Sequence, residues 1–465
     1  MGNARAWAAY PDDYRRREVQ ILLDWVRTGV SGAVVGGPGS GKSNLLGFIC
    51  HRPDVWRTAL PSHGDIFLIP LDLNNLPVND LSNLYRAILR ACYEVRARFE
   101  DDLCQLIVSL FHEHRDSTDP FVAQSALREW LLRLRKQEKR VVLVVDRFDW
   151  FCQHASASMS DSLRGLRDSF KETLSFIAGT RHELRYFADW EALGELYELL
   201  DTFTCWIQPL EERHARQMIA QEVGGRQVDE HEVGCLLALS GGYPALLKTA
   251  CHWLLLQPEP PPADAWVEGL RAFPAMACRL EGLWQSFTVS EQQALQSLLA
   301  PNAVPAANAQ AATGRMEERR QRALSKLEAQ GLLRRCDGAM QIRSELLAAH
   351  VGSSRYPVPG SLWLDTQSDS FYQGTAPLDN LSPLEESLLR YLLQHPQVRH
   401  THTELIEAAW PEDTLRAGVS TEALYQVVRG LRRKIEPRPS RPRYIVNWRG
   451  APEGGYRCFP EGMPA

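Results

Sequence analysis

The sequence has no two cysteines spaced as CxxC; its ten cysteines stand singly from Cys50 to Cys458. That spacing excludes a zinc ribbon and a disulfide framework and suits a reducing compartment. Long apolar runs are missing too, and the opening MGNARAWAAYPDDYRRRE contains no apolar h-region. Neither a membrane span nor a secretory signal is expected, and the expected location is the cytoplasm. Strong net charge is also absent. A sum of −5 over 465 residues does not advertise a nucleic-acid binder, although a whole-chain sum hides local patches. Nothing is arranged as a Ser/His/Asp triad or a paired-carboxylate site. His400, His402 and Glu404 lie close together, but in HTHTE, where Thr401 or Thr403 serves better as a helix cap than its neighbours serve as metal ligands.

What is present is globular: 44% hydrophobic and 23% charged, in a chain long enough for two to four domains. Short apolar runs alternate with amphipathic stretches up to about residue 210. The expected strands are Gly32–Gly36, Asp65–Leu71, Val141–Asp146, Thr173–Gly179 and Thr202–Ile207. Helical patterns such as Leu81–Phe99 and Ala123–Leu134 separate them, which predicts a parallel sheet with crossover helices on both faces. Residues 210–280 read as helical, with a PEPPP break at Pro258–Pro262. Residues 281–350 read as helix, a low-complexity insert (APNAVPAANAQAATG), helix and short strands. A linker at 351–360 precedes a separate unit over 361–465.

The strongest motif is GGPGSGKS, Gly36–Ser43, between the strand AVVG and the helical SNLLGFIC. It fits G-x-x-x-x-G-K-[ST]. Glycines let backbone N–H groups curl around phosphate oxygens, and a helix N-terminus adds favourable partial charge. Gly36, Gly37, Pro38, Gly39, Ser40, Gly41, Lys42, Ser43 and Asn44 are therefore expected to hold ATP. Lys42 would reach the β- and γ-phosphates, and the Ser43 hydroxyl would ligate Mg²⁺. The stretch VVLVVDRFDW brings Asp146 to the end of a buried strand, as a second Mg²⁺ group. Asp149 either polarises the attacking water or caps the next helix. Between them stands Arg147, whose guanidinium cannot act as a base. In FIAGTR, Arg181 is placed to report the γ-phosphate. Arg167 reads either as a finger offered to a neighbouring copy or as a surface partner of Asp168.

These motifs, with PLEERHA and SGGYP, stand in the order and spacing of STAND-class NTPases and the related origin-recognition branch of AAA+ ATPases, which the chain resembles over roughly residues 15–350. The resemblance implies a P-loop core over 1–209, a helical lid over 210–280 and a winged helix over 281–350. It places Gly242 and Pro244 of the lid near the base and sugar, and YRRRE, with Arg17 and Glu18, near the adenine. It makes Arg181 the sensor. Relatives commonly carry an acid where this chain has Arg147, so slow turnover is expected. A nucleotide-dependent homo-oligomer is a further implication.

Charge reverses near the C-terminus. Between Arg429 and Arg449 lie Arg429, Arg432, Arg433, Lys434, Arg438, Arg441, Arg443 and Arg449 against the single acid Glu436. Leu424, Val427, Val428, Leu431 and Ile435 recur at helical spacing, predicting a helix from about Thr421 to Glu436. Tyr425, Arg429, Arg432 and Arg433 would lie off its apolar face, free to meet DNA, and RYIVNWRGAPEGGYRCF reads as a hairpin. Trp363, Trp410 and Trp448 are expected in the core. From SLWLDTQSDSFYQG to GYR the segment resembles the OmpR/PhoB-type winged helix. That resemblance implies groove or phosphate contacts by Arg429 and Arg432, phosphate contacts by Arg433 and Lys434, and a wing carrying Arg449 and Tyr456. The wing is longer than usual, with Glu453 at its tip.

The combined reading is a nucleotide-switched regulator that binds double-stranded DNA and hydrolyses ATP slowly. Two other classes stay open: a DNA-loading or remodelling ATPase, and a signalling or defence scaffold whose winged helices bind protein.

Overall fold

Five short hydrophobic strands organise the N-terminal half: β1 (Gly32–Val35), β2 (Ile66–Asp72), β3 (Arg140–Asp146), β4 (Leu174–Thr180) and β5 (Thr204–Trp206). All pair in parallel, in the order β2-β3-β4-β1-β5. Every residue of β4 and the five central residues of β3 are buried, which requires cover on both faces of the sheet. Each strand falls within two residues of its expected limits. The computed structural model describes residues 7, 10–57, 66–73, 76, 78–187, 193–257, 261–299, 310–353, 360–365, 369–374, 376–411, 415, 418–450 and 453–464, without the side chains of 310–316.

The helices of this half are α1 (Arg16–Thr28), α2 (Lys42–His51), α3 (Leu81–Glu94), α4 (Asp101–His114), α5 (Pro120–Lys136), α6 (Phe148–His154), α7 (Ala157–Ser169) and α8 (Glu195–Asp201). Their ends follow local chemistry. Asp119 accepts a hydrogen bond from the Phe121 N–H, with Pro120 in the first turn of α5. The helix expected over Leu81–Phe99 stops at Glu94 and continues as a single 3₁₀ turn, Arg96–Arg98. Helices α3, α4 and α5 pack over β2 and β3 around Trp130, Tyr85 and Phe99.

The chain divides into two compact units, Met1–His214 and Ala215–Ala465. From α9 (Glu212–Val223), which begins at the end of the first unit, the chain runs through α10 (Glu230–Ser240), α11 (Pro244–Leu255), α12 (Trp266–Ala272) and α13 (Pro274–Gln285), the helical stretch expected there. The residues Pro258–Glu259–Pro260 of the proline break lie outside the described residues. Next come α14 (Val289–Leu299), α15 (Gln310–Ala329), the hairpin β6 (Leu333–Cys336) and β7 (Ala339–Ile342), and α16 (Glu345–Gly352). The low-complexity insert expected to be loop through Gly314 is helical from Gln310; its residues 300–309 lie outside the described residues.

The last segment is a winged helix. A small antiparallel sheet, β8 (Leu362–Asp365), β9 (Ser370–Gln373) and β10 (Ala376–Pro377), precedes α17 (Pro383–Gln394), β11 (His400–Thr401), α18 (His402–Ala409) and α19 (Thr421–Ile435). β12 (Ile445–Trp448) and β13 (Gly455–Cys458) form the hairpin, and β11 pairs with β13. Ser382 and Thr401 each form a capping box with the glutamate three residues on, so HTHTE is a helix start. The segment expected to stand apart instead packs on its neighbour: Arg443 is buried and donates to Gln292 at 2.8 Å. Trp363 and Trp410 are buried, whereas Trp448 is half-buried and donates to the His400 carbonyl.

Candidate functional site

The turn Gly36–Gly41 leaves β1 and enters α2. Gly39 and Gly41 have φ of 79° and 91°, a region costly for residues with a Cβ. At Gly36 a Cβ would lie 2.6 Å from the Ser40 hydroxyl. The loop closes on itself through Ser40 N–H to the Gly37 carbonyl (3.2 Å), and Gly36 N–H reaches the Thr180 carbonyl (3.1 Å). Lys42 is buried and donates from Nζ to the Gly36 carbonyl at 3.3 Å. Burial pushes its pKa down, while Asp149 and Asp146 oppose that shift. The Asn44 amide turns away from the loop and donates to Tyr10 Oη at 3.0 Å.

The neighbouring strands bring the acids. Asp146 ends β3, and its Oδ1 accepts from the Arg147 N–H at 2.9 Å, which fixes its rotamer. Arg147 itself adopts the left-handed conformation at φ 53° and is exposed. Asp149 does not cap the helix. The N-cap is Arg147, without a side-chain cap, and the Asp149 carboxylate accepts from the Arg181 N–H at 2.6 Å. Burial raises the Asp149 pKa against the pull of Lys42. Asp149 thus pins the end of β4, where the exposed Arg181 begins. A Cβ on Gly179 would sit 2.6 Å from Leu46 Cδ1 and 3.3 Å from Asp146 Oδ1, so glycine there lets α2 pack closely against the end of β4 beside Asp146.

One residue escaped the sequence. Arg15, at φ 49° and buried, donates to the Ser40 carbonyl at 2.6 Å and to the Gln208 carbonyl at 2.6 Å. Its partner Glu18 accepts from the Gln208 N–H at 3.0 Å, while Arg17 is exposed. Of the three arginines in YRRRE it is thus Arg15 that turns inward and holds the phosphate loop. Thr180, fully buried, ends β4 with its hydroxyl unpartnered, and the Ser40 hydroxyl is likewise buried and unpartnered. Curled N–H donors, a buried lysine, Ser43 with Asp146, and two idle hydroxyls fit a phosphate chain with a divalent cation. Arg167 pairs with Asp168 at 3.8 Å. Gly242 and Pro244 lie in the second unit, at the turn from α10 to α11. There Gly241 and Gly242 have φ of 60° and 77°, and Pro244 opens α11. A Cβ on Gly241 would strike the backbone at Ser344, whose hydroxyl donates to the Leu239 carbonyl, so this turn seats α10 against α16.

The basic helix α19 buries Leu424, Val428, Leu431 and Ile435. Arg429, Arg433 and Arg449 are exposed, and Tyr425 is 40% exposed. Arg432 and Lys434 differ from expectation, because each finds an oxygen inside the domain. Arg432 donates to the Ile445 carbonyl and to Asn447 Oδ1, and lies 5.3 Å over the Tyr456 ring. Lys434 bonds the Asn380 carbonyl and Glu385. Tyr456 is buried in β13 rather than presented by the wing. Glu453 is held back by Thr403, whose N–H and hydroxyl both donate to its carboxylate at 3.3 Å. Between α19 and the hairpin lies a groove of about 630 Å³ walled by His402, Tyr425, Asn447, Trp448, Arg449 and Tyr456. Nothing in the sequence places His402 or Asn447 beside α19, since only the fold brings them there.

Residues 379–458 match the family model described as "Transcriptional regulatory protein, C terminal". No curated protein matches the chain. Among solved structures, the chain is similar to a Walker-type ATPase of Pyrococcus abyssi, at 14% identity and TM-score 0.42, covering 72% of this chain and 95% of that one. It is also similar to the Aeropyrum pernix ORC2 protein in its ADPNP-ADP complexes, at 14% identity and TM-score 0.38, covering 72% and 92%. The Aeropyrum pernix ORC1 protein in complex with DNA matches at 16% identity and TM-score 0.37, covering 74% and 93%. By its own strand order and its family match, the chain joins a five-stranded parallel α/β unit to a transcription-regulator-type winged helix. Among the described residues no helix is long and apolar enough to cross a membrane.

Proposed function

We propose that this protein is an ATP-binding, nucleotide-switched DNA-binding transcriptional regulator that hydrolyses ATP slowly. The observation that carries the reading is the buried Lys42 beside Asp146 and Asp149 at the mouth of a glycine cradle, in one chain with the exposed arginines of α19. Lys42 and the loop N–H groups bind the phosphates. Ser43 and Asp146 hold Mg²⁺, whose charge offsets that of the β- and γ-phosphates. Arg181 reads the γ-phosphate. Because Asp149 is tied to the Arg181 N–H, a γ-phosphate that draws on Arg181 also moves the group that orders the site. Arg147 stands where a water-activating acid would act and supplies no base, so the ATP state is long-lived.

On DNA, α19 enters the major groove. Tyr425, Arg429 and Arg433 reach bases or phosphates, and Arg449 reaches the backbone beside the hairpin. Arg432 and Tyr456 act by holding helix and hairpin together, and Lys434 by tying α19 to Glu385 of α17. Fluorescence anisotropy on pooled genomic fragments tests the reading, with ATP, with ADP and without nucleotide, for the full chain and its Lys42→Ala variant. The expected result is ATP- and ADP-dependent affinities that differ, and a variant that no longer distinguishes the nucleotides. Equal binding in all three states would refute the switch, and no binding at low salt would refute the DNA reader.

A further inference from the structure

A second cationic cavity opens in the first unit, on the side of α2 that faces α3. It holds about 1230 Å³ and is walled by successive turns of both helices, with the ends of β2 and β3 as its floor. Five arginines line it: Arg86 and Arg90 from α3, Arg96 and Arg98 from the 3₁₀ turn, and Arg115 just beyond α4. None of them belongs to the phosphate loop.

Arg86 is the telling group. Its Nε is buried and has no hydrogen-bond partner, while the residue as a whole is half-buried in the cavity wall. A buried N–H donor left unpaired is costly, and the cost is offset when an anion supplies an acceptor oxygen. Three of the others are pre-positioned. Arg98 donates to the Leu68 carbonyl at 3.1 Å and toward His51 Nδ1 at 3.3 Å. Arg90 is held by Glu94 at 2.9 Å. Arg96 is held by the Tyr93 carbonyl at 2.9 Å and stacks 4.1 Å over the Tyr93 ring. Planar guanidinia fixed by their neighbours suit forked recognition of phosphate oxygens.

We infer that this cavity is a binding site for a small phosphorylated organic anion, adjoining the phosphate loop at Ser43 but distinct from its glycine cradle. The apolar floor, including Leu46 and Leu71, takes the ligand's non-polar body, and the arginines around Arg86 take its phosphates. The inner end is formed by Ser43 and Asp146, so the ligand shares a wall with the cation site of the cradle. Binding there bears directly on the two groups that would hold the metal, which is the position an input signal needs. The cationic groups line a concavity between two helices rather than a convex face. That favours a small ligand over a nucleic-acid strand.

The test uses the full chain with Lys42→Ala, which disables the cradle, and isothermal titration with inorganic tripolyphosphate as probe. One equivalent is expected to bind. Adding Arg86→Gln should weaken it at least about tenfold, as loss of a charge-assisted pair implies, with the thermal midpoint retained. The double variant with Arg90→Gln, an exposed position, gives the same reading should Arg86→Gln unfold. No binding in the Lys42→Ala protein, or binding undiminished by both arginine variants, overturns the inference. A single-stranded oligonucleotide that displaces tripolyphosphate and itself depends on Arg86 also overturns it, in favour of a nucleic-acid groove.

Discussion

Arg443 donates from Nη1 to Gln292 Oε1 at 2.8 Å across 151 residues of sequence. The same guanidinium donates to the Phe287 and Met463 carbonyls, and burial pushes its pKa down to about 10. One cation thus fastens the start of the terminal hairpin to α14. Arg443→Met would leave three oxygens without their donor. The expected cost is on the order of 2–4 kcal/mol in denaturant unfolding of the full chain, because buried acceptors lose a charged partner. The fastening also joins the DNA reader to the module before it. The variant's DNA affinity should therefore lose part of its dependence on nucleotide, and anisotropy in ATP against ADP measures that loss.

Arg147 bears on the slow turnover proposed above. Its φ of 53° is a conformation that aspartate tolerates better than most residues. Arg147→Asp therefore places a carboxylate one residue after Asp146 without forcing the turn. If the missing acid limits turnover, single-turnover ATP hydrolysis should rise by about tenfold to a hundredfold, within the range of a positioned general base. An unchanged rate would mean that a conformational step, not water activation, sets the pace.

Glu385 gives the terminal domain a pH dependence. Burial pushes its carboxyl up, but hydrogen bonds from Lys434 and Ser382 outweigh that, and the net shift is downward. A carboxyl lowered on folding adds stability that is complete above its unfolded value. That stability is lost as pH falls through the lower, folded value. The thermal midpoint of the domain should fall as the solution is acidified below the usual carboxylate range. Glu385→Gln should have a lower midpoint at neutral pH and a flatter acid limb, read by circular dichroism.

The sheet was legible because a buried parallel strand is a continuous apolar run, and VVLVVD carries its own acid at the end. The phosphate loop was legible because φ above zero at Gly39 and Gly41 forces residue choice. Helix α4 was not legible: DDLCQLIVSLFHEH lies close behind α3, and its buried Leu103, Ile107 and Leu110 form a sparse stripe. Arg15 was hidden because three arginines in a row look alike until the backbone turns left-handed at one of them. The inward bonds of Arg432 and Lys434 were hidden for a related reason. Their acceptors are at Ile445 and Glu385, 13 and 49 residues away, and nothing in local periodicity names such partners.

That distinction separates two arginines only three positions apart on α19. Arg429 is exposed and makes no hydrogen bond or ion pair among the described residues, whereas Arg432 holds Ile445 and Asn447. Arg429→Ala should leave the unfolding midpoint where it is. It should weaken DNA binding by about 1–3 kcal/mol if it reads a base, or reduce the salt slope by about one if it meets a phosphate. Arg432→Ala should do the reverse in order of cause: the hairpin loosens first, with roughly 1–3 kcal/mol of lost stability, and DNA binding falls because the hairpin is no longer placed. Measuring melting and salt-dependent affinity on both variants separates contact from support. If Arg432→Ala melts like the parent yet loses DNA, the inward bonds are not what this residue is for, and its guanidinium must swing out to the duplex.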